Sequence, residues 1–179
     1  MPLFHFSEES HIISFVPRAA AVPSQREPGM EWLNGPIVWA IDEWHQPMYL
    51  FPRDCPRVLV WPVAGTTAED RRVHWTTSGC RMLAYIEWGW LERLRATTVR
   101  RYALPAAGFE DLHDSGMWVA RSTVVPTEVR AITPLTPALE EAGVELRLVP
   151  SLKPLKPLWD TSLHVSGIRL RNMREELPA

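Results

Sequence analysis

Seventeen prolines are scattered through 179 residues, and they bound the fold more tightly than any other feature of the chain. Proline fixes its own φ and has no amide to donate, so it ends helices and is excluded from the middle of a sheet. The chain must therefore fold into many short elements joined by rigid turns. The expectation is a single globular α+β domain over residues 1–173, with a mixed or split, mainly antiparallel sheet and few helices. A chain of this length buries roughly 70% of its unfolded surface, enough for a core without staples. A frayed tail is expected over 174–179.

The apolar fraction of 46% and charged fraction of 22% are those of an ordinary globular protein. The formal net charge of −2 argues against wholesale nucleic-acid binding and leaves room only for local basic patches. No window of 18 apolar residues exists, so no membrane partner is expected. The start, MPLFHFSEES, lacks a basic region followed by a long apolar run, which points to the cytoplasm. Cys55 and Cys80 form no CxxC and no paired metal spacing, so free thiols and no metal site are expected.

Along the chain, PLFHF at 2–6 reads as a strand. Ser7 suits the cap of a short helix ending before Pro17. Residues 19–35 read as a surface loop and 36–41 as a buried strand. Asp42 suits a cap for a turn from Glu43, and Pro47 the first turn of a helix to about Phe51. A turn at 52–56 leads to a strand at 57–63. Residues 65–79 read as a polar loop with a brief strand near 73–76. Leu83, Ile86, Trp90 and Leu94 fall on one helical stripe, which predicts a helix over 80–96. Strands are expected at 98–104, 117–121, 129–132, 144–149 and 162–171, and a loop at 105–116. Thr136 and Pro137 open a helix that Gly143 stops. A helical turn is expected around Leu155–Asp160.

The stretch IVWAIDEWHQPMYLFPRDCPRV at 37–58 is the richest candidate site. Its aromatics alternate with polar and charged groups, the composition of a pocket wall. Asp42 and His45 are candidate catalytic residues, because a carboxylate beside a histidine makes an acid–base pair; a helix cap with a solvated histidine explains the same residues. Arg53 and Arg57 can clamp a phosphate, or with Asp54 simply fix a turn. Cys55 is a poor nucleophile, since Asp54 beside it disfavours the thiolate. His5 is a candidate ligand-contacting or catalytic residue, or a core histidine satisfied by backbone. Arg169 and Arg171 share a strand face by period two, with Arg147 on a nearby strand, and line a basic groove or a solvated face. No G-x-G-x-x-G, Walker A, H-E-x-x-H or G-x-S-x-G occurs, which weighs against the chemistry of those motifs.

Together LFHFSEE, VWAIDEWHQPMYLFPRDCPRV, WVARSTVVPTEV and GVELRLVPSL with SGIRLRN resemble a bacterial family defined only as a domain of unknown function, over nearly the whole chain. A second resemblance is to the ADP-ribosyltransferase-like fold. Leu3, His5 and Ser7 look like its first-strand motif L-x-H-x-[ST], and Val38, Trp39, Ala40 and Asp42 look like its next strand. That resemblance implies NAD as cofactor or substrate, with His5 at the ribose and Trp44 or Tyr49 against nicotinamide. It leaves the catalytic glutamate unassigned between Glu128 and Glu145. RNA 2′-phosphotransferases share that fold and use basic groups instead.

The leading expectation is a protein that binds or processes NAD or a phosphorylated nucleotide, with ligand contacts from Ser7, Trp44, Tyr49, Arg53, Arg57, Arg169 and Arg171. One alternative is a non-enzymatic interaction module using exposed Trp32, Trp44 and Trp75. Another is an RNA-phosphate-processing enzyme using His5, Arg169 and Arg171. The oligomeric state is open.

Overall fold

The computed structural model describes residues 1–75 and 79–174. Its strands are β1 (Leu3–Ser7), β2 (Val38–Asp42), β3 (Arg57–Trp61), β4 (Met82–Glu87), β5 (Val99–Leu104), β6 (Phe109–Asp111), β7 (Met117–Ala120), β8 (Glu128–Ile132), β9 (Val144–Val149) and β10 (His164–Ile168). The α-helices are α1 (Ala68–His74), α2 (Leu91–Ala96) and α3 (Leu135–Glu141), with short 3-10 turns between. The strands make a six-stranded sheet, β6-β7-β2-β1-β5-β8, and a four-stranded one, β10-β3-β4-β9. All pairings between these strands are antiparallel except β4 with β9. The chain is α+β, and no helix of the described residues is long and apolar enough to cross a membrane. It divides into two compact units, Met1–Gln46 with Val99–Ile132, and Pro47–Thr98 with the chain from Thr133.

The first unit is built on the six-stranded sheet. Side chains alternate across a strand, so Leu3, Val38, Ala40, Tyr102, Leu104 and Ala120 gather with Phe15 and Val124 on one face. Ile37 and Val119 point the other way and pack with Leu33, Trp39 and Trp32. The expected helix after Ser7 does not form. Its backbone is claimed by side chains of β5: Tyr102 donates to the Glu9 carbonyl at 2.7 Å, and Arg100 to the Glu8 carbonyl at 2.8 Å. Phe15 then bridges Val124 with two backbone hydrogen bonds. The loop at 105–116 contains the short strand β6.

The second unit holds the four-stranded sheet, and β4 is the main correction. Residues 82–96 are not one helix. Met82, Leu83, Ala84 and Ile86 are fully buried in a strand flanked by β3 and β9. A strand covered on both faces is a continuous apolar run, which periodicity cannot separate from a buried helix. Only Leu91–Ala96 is α-helical. The polar stretch after Val63 forms α1, whose Thr67 side chain accepts from the Asp70 amide. The expected brief strand at 73–76 is helix through His74, and position 76 lies outside the described residues. The tail expected from 174 lies, beyond Arg174, outside them as well.

Two further boundaries move. α3 is capped at Pro134 rather than Thr136, while Gly143, at φ 72°, ends the turn that follows. β10 stops at Ile168. Arg169 is left-handed at φ 56°, and Leu170–Asn172 is a 3-10 turn, so Arg169 and Arg171 do not share a strand face.

Candidate functional site

β3 begins at Arg57 and β10 ends at Ile168, and these two residues are register partners. That pairing brings the turn before β3 beside the turn after β10. Arg169 donates through Nε to the Arg53 carbonyl at 3.3 Å, and Asn172 through Nδ2 to the Asp54 carbonyl at 2.7 Å. Five of the expected ligand contacts, Tyr49, Arg53, Arg57, Arg169 and Arg171, are therefore gathered in the second unit. Burial is graded across them. Arg57 is buried, Tyr49 and Arg169 are half-buried, and Arg53 and Arg171 are exposed.

Arg57 is the floor of this cluster. Its Nε donates to the Met48 carbonyl at 2.8 Å and its Nη1 to the Cys55 carbonyl at 2.9 Å. Its guanidinium carbon lies 5.8 Å from the Tyr49 ring centre and 5.2 Å from that of Phe51. Burial lowers its pKa to about 10, opposed by Tyr49 and Cys55, with Arg169 adding repulsion. These bonds make Arg57 chiefly the residue that shapes the 48–55 loop. Burial also lowers the pKa of Arg169, and Arg171 and Arg53 push it the same way, while Asp54 and Tyr49 oppose them. No ion pair among the described residues involves Arg57, Arg169 or Arg171. Cys55, fully buried, has its thiol pushed up to about 12 by desolvation, a cause other than the neighbouring Asp54 charge that the sequence suggested. Both cysteines are free.

The first unit carries the Asp42–His45 pair. Asp42 ends β2 and is held by its amide to the Gly116 carbonyl at 2.9 Å. Asp42 Oδ1 accepts from the His45 amide at 2.7 Å and lies 2.9 Å from the ring Nδ1; Oδ2 lies 3.0 Å from the same nitrogen. An ionised carboxylate only accepts, so Nδ1–H is the donor that suits Asp42, and in an uncharged ring that tautomer leaves the lone pair on Nε2. Each side chain is 18% exposed, so His45 is not the solvated histidine of a simple cap. The Trp44 ring stands edge-on to His45 at 4.6 Å, and Trp44 is 40% exposed.

Gly116, which the sequence reading did not single out, closes this pair from the β6–β7 loop. It has φ 71°, and a Cβ there would clash with His45 Nδ1 and sit 2.5 Å from the Asp42 carboxylate. His113 and Ser115 in the same loop also have positive φ, a concentration that is uncommon outside glycine. The DSG triplet before the apolar strand β7 was the available signal.

His5 and Ser7 lie on the core-lining face of β1. His5 Nδ1 lies 2.8 Å from the Trp39 carbonyl and its ring packs at 4.5 Å from Phe15. Ser7 is buried and its hydroxyl accepts from the Glu9 amide, a local turn. Arg147 is not part of the arginine cluster's contacts; it donates to Glu145 at 2.7 Å and to the Tyr85 hydroxyl at 2.7 Å. Glu128 is exposed on β8. Trp32 and Trp75 are half-buried rather than exposed, and the exposed tryptophans are Trp44, Trp88 and Trp159. Among the described residues no group of three His, Cys, Asp or Glu can hold a metal ion.

These features define an α+β protein of two largely antiparallel sheets, with an arginine cluster where β3 begins and β10 ends. Within that class the chain belongs to the family of unknown function DUF6886, whose model matches residues 4–173. No curated protein and no solved structure matches it. These comparisons lend no support to the ADP-ribosyltransferase-like resemblance.

Proposed function

We propose that the protein binds a phosphorylated small molecule, of the nucleotide class, at the arginine cluster. Arg169 and the exposed Arg53 and Arg171 meet the phosphates, and Tyr49 offers an aromatic face beside them. The observation that carries this reading is the contact of the two turns, in which Arg169 donates to the Arg53 carbonyl and lies near enough to the charges of Arg53 and Arg171 for both to lower its pKa. Like charges brought together from segments 116 residues apart cost stability, and a bound anion offsets that cost. Arg57 holds the loop rather than the ligand. The test is a thermal-shift titration with NAD, ADP-ribose and inorganic pyrophosphate. Ligand at 100 times its dissociation constant stabilises by about 2.7 kcal/mol, a shift of roughly 5–10 °C for a chain of this size. Stabilisation by all three supports phosphate recognition, and stabilisation by none removes it.

A second reading, favoured by the three short contacts between Asp42 and His45, is proton transfer at His45. Asp42 fixes the ring and its tautomer, and Nε2 accepts or returns the proton. Asp42→Ala then changes the tautomer of His45, a readout that ring nitrogen NMR gives without a known substrate.

A further inference from the structure

β8 is an edge strand of the six-stranded sheet, paired only with β5. Glu128, Val129, Arg130 and Ala131 are all exposed, so neither face of the strand is packed away. Val129 is 52% exposed and Val125, just upstream, 61%. A strand edge with unpaired backbone groups is a template for another strand, and proteins blunt it or use it. Neither Glu128 nor Arg130 has an ion-pair partner among the described residues. Arg130 lies directly opposite Arg101 of β5, a like-charge cross-strand pair that is unfavourable. Arg101 is already engaged, by a 3.2 Å bond to Gln46 Oε1 and by the Phe4 ring at 4.7 Å.

The charge order of this strand is self-complementary. In an antiparallel pair of two β8 strands centred on Val129, Val129 faces its own copy. Glu128 of each strand then faces Arg130 of the other. A two-fold axis generates both ion pairs at once, as an isologous interface requires. Each Arg130 gains the carboxylate that its own chain does not supply, and the exposed valine is covered. We infer that β8 docks a second copy of this chain edge to edge, giving a two-fold dimer with a twelve-stranded continuous sheet. The chemistry of the partner is read from the Glu128, Val129 and Arg130 order alone and does not depend on the arginine cluster.

The experiment is mass measurement in solution by sedimentation equilibrium on the full chain, from micromolar to millimolar concentration. The variants are Glu128→Arg, Arg130→Glu and the double exchange E128R/R130E. The wild type is expected to reach twice 20.5 kDa. Each single change puts two like-charge pairs in the dimer and weakens association about tenfold or more. The double exchange restores both ion pairs and recovers the dimer. All three variants alter exposed side chains, and circular dichroism checks that they fold. Monomeric wild type throughout the range overturns the inference and makes the charges a guard against pairing. A dimer that the single exchanges do not weaken, or that the double exchange does not restore, overturns it equally.

Discussion

Arg169 reaches back to the carbonyl oxygen of Arg53 at 3.3 Å across 116 residues of sequence. The bond is modest at that distance, but its consequence is electrostatic. It holds a second guanidinium beside the first, with Arg171 close enough to repel and buried Arg57 underneath. This arrangement follows from the β3–β10 pairing, which places Ile168 opposite Arg57 and turns the chain sharply at Arg169.

Gly116→Ala tests whether the β6–β7 loop is fitted to the Asp42–His45 pair. The added methyl meets both side chains well inside contact distance, and the backbone is left-handed. Strain at such a position costs on the order of 1–3 kcal/mol before any clash is counted. Melting should fall by at least several degrees, and the His45 ring resonances should move. An unchanged melting temperature contradicts the fit.

Asp42→Ala removes an acceptor shared by the backbone and the ring of His45. Loss of such a cap costs about 1 kcal/mol. The ring then samples both tautomers, which nitrogen chemical shifts report. If the proton stays on Nδ1 in the variant, Asp42 does not set the tautomer.

The thiol of Cys55 makes stability fall at alkaline pH. Its folded pKa stands near 12 against a usual value of 9.0. Below pH 9 both folded and unfolded thiols are protonated and the contribution is complete. Above it the unfolded chain loses its proton first, so stability drops by about 1.4 kcal/mol for each pH unit up to the folded pKa. Cys55→Ala should flatten that part of the alkaline limb in denaturant titrations followed from pH 8 to 10. A slope that survives the substitution belongs to other groups.

Glu87 is a buried carboxylate that accepts from the backbone amides of Leu152 at 3.3 Å and Arg174 at 3.2 Å. Glu87→Ala leaves those donors without their acceptor, at about 1–3 kcal/mol. Hydrogen exchange at Leu152 and Arg174 should quicken more than at β3. Uniform exchange across the unit contradicts a local tether.

Much of the sheet was legible because its strands obey local rules. LFHFS alternates, RVLVW is a short apolar run before a proline, and VELRLV alternates after a glycine that ends a helix. MLAYIE was not legible, since burial on both faces erases the alternation and Leu83 and Ile86 fall in step with Trp90 and Leu94 as a false helical stripe. α1 was missed because it buries no residue and so shows no apolar face, although Thr67, Glu69 and Asp70 at its start were readable cap signals. The site divides the same way. Asp42 with His45, and Arg53 with Arg57, are close in sequence and were visible as clusters. The link of Arg53 and Arg57 to Arg169 and Arg171 depends on a pairing more than 100 residues long, which no local pattern encodes. Gly116 went unseen because its role depends on what a methyl group would strike.

The most direct measurement of the central claim is isothermal titration of inorganic pyrophosphate into the wild type and into Arg53→Ala and Arg169→Ala. The account predicts saturable binding to the wild type that weakens as salt rises, because the contacts are charged. It predicts a loss of tenfold or more in each variant, about 1.4 kcal/mol, with both proteins folded. Absence of binding to the wild type, or binding that neither substitution weakens, would contradict it.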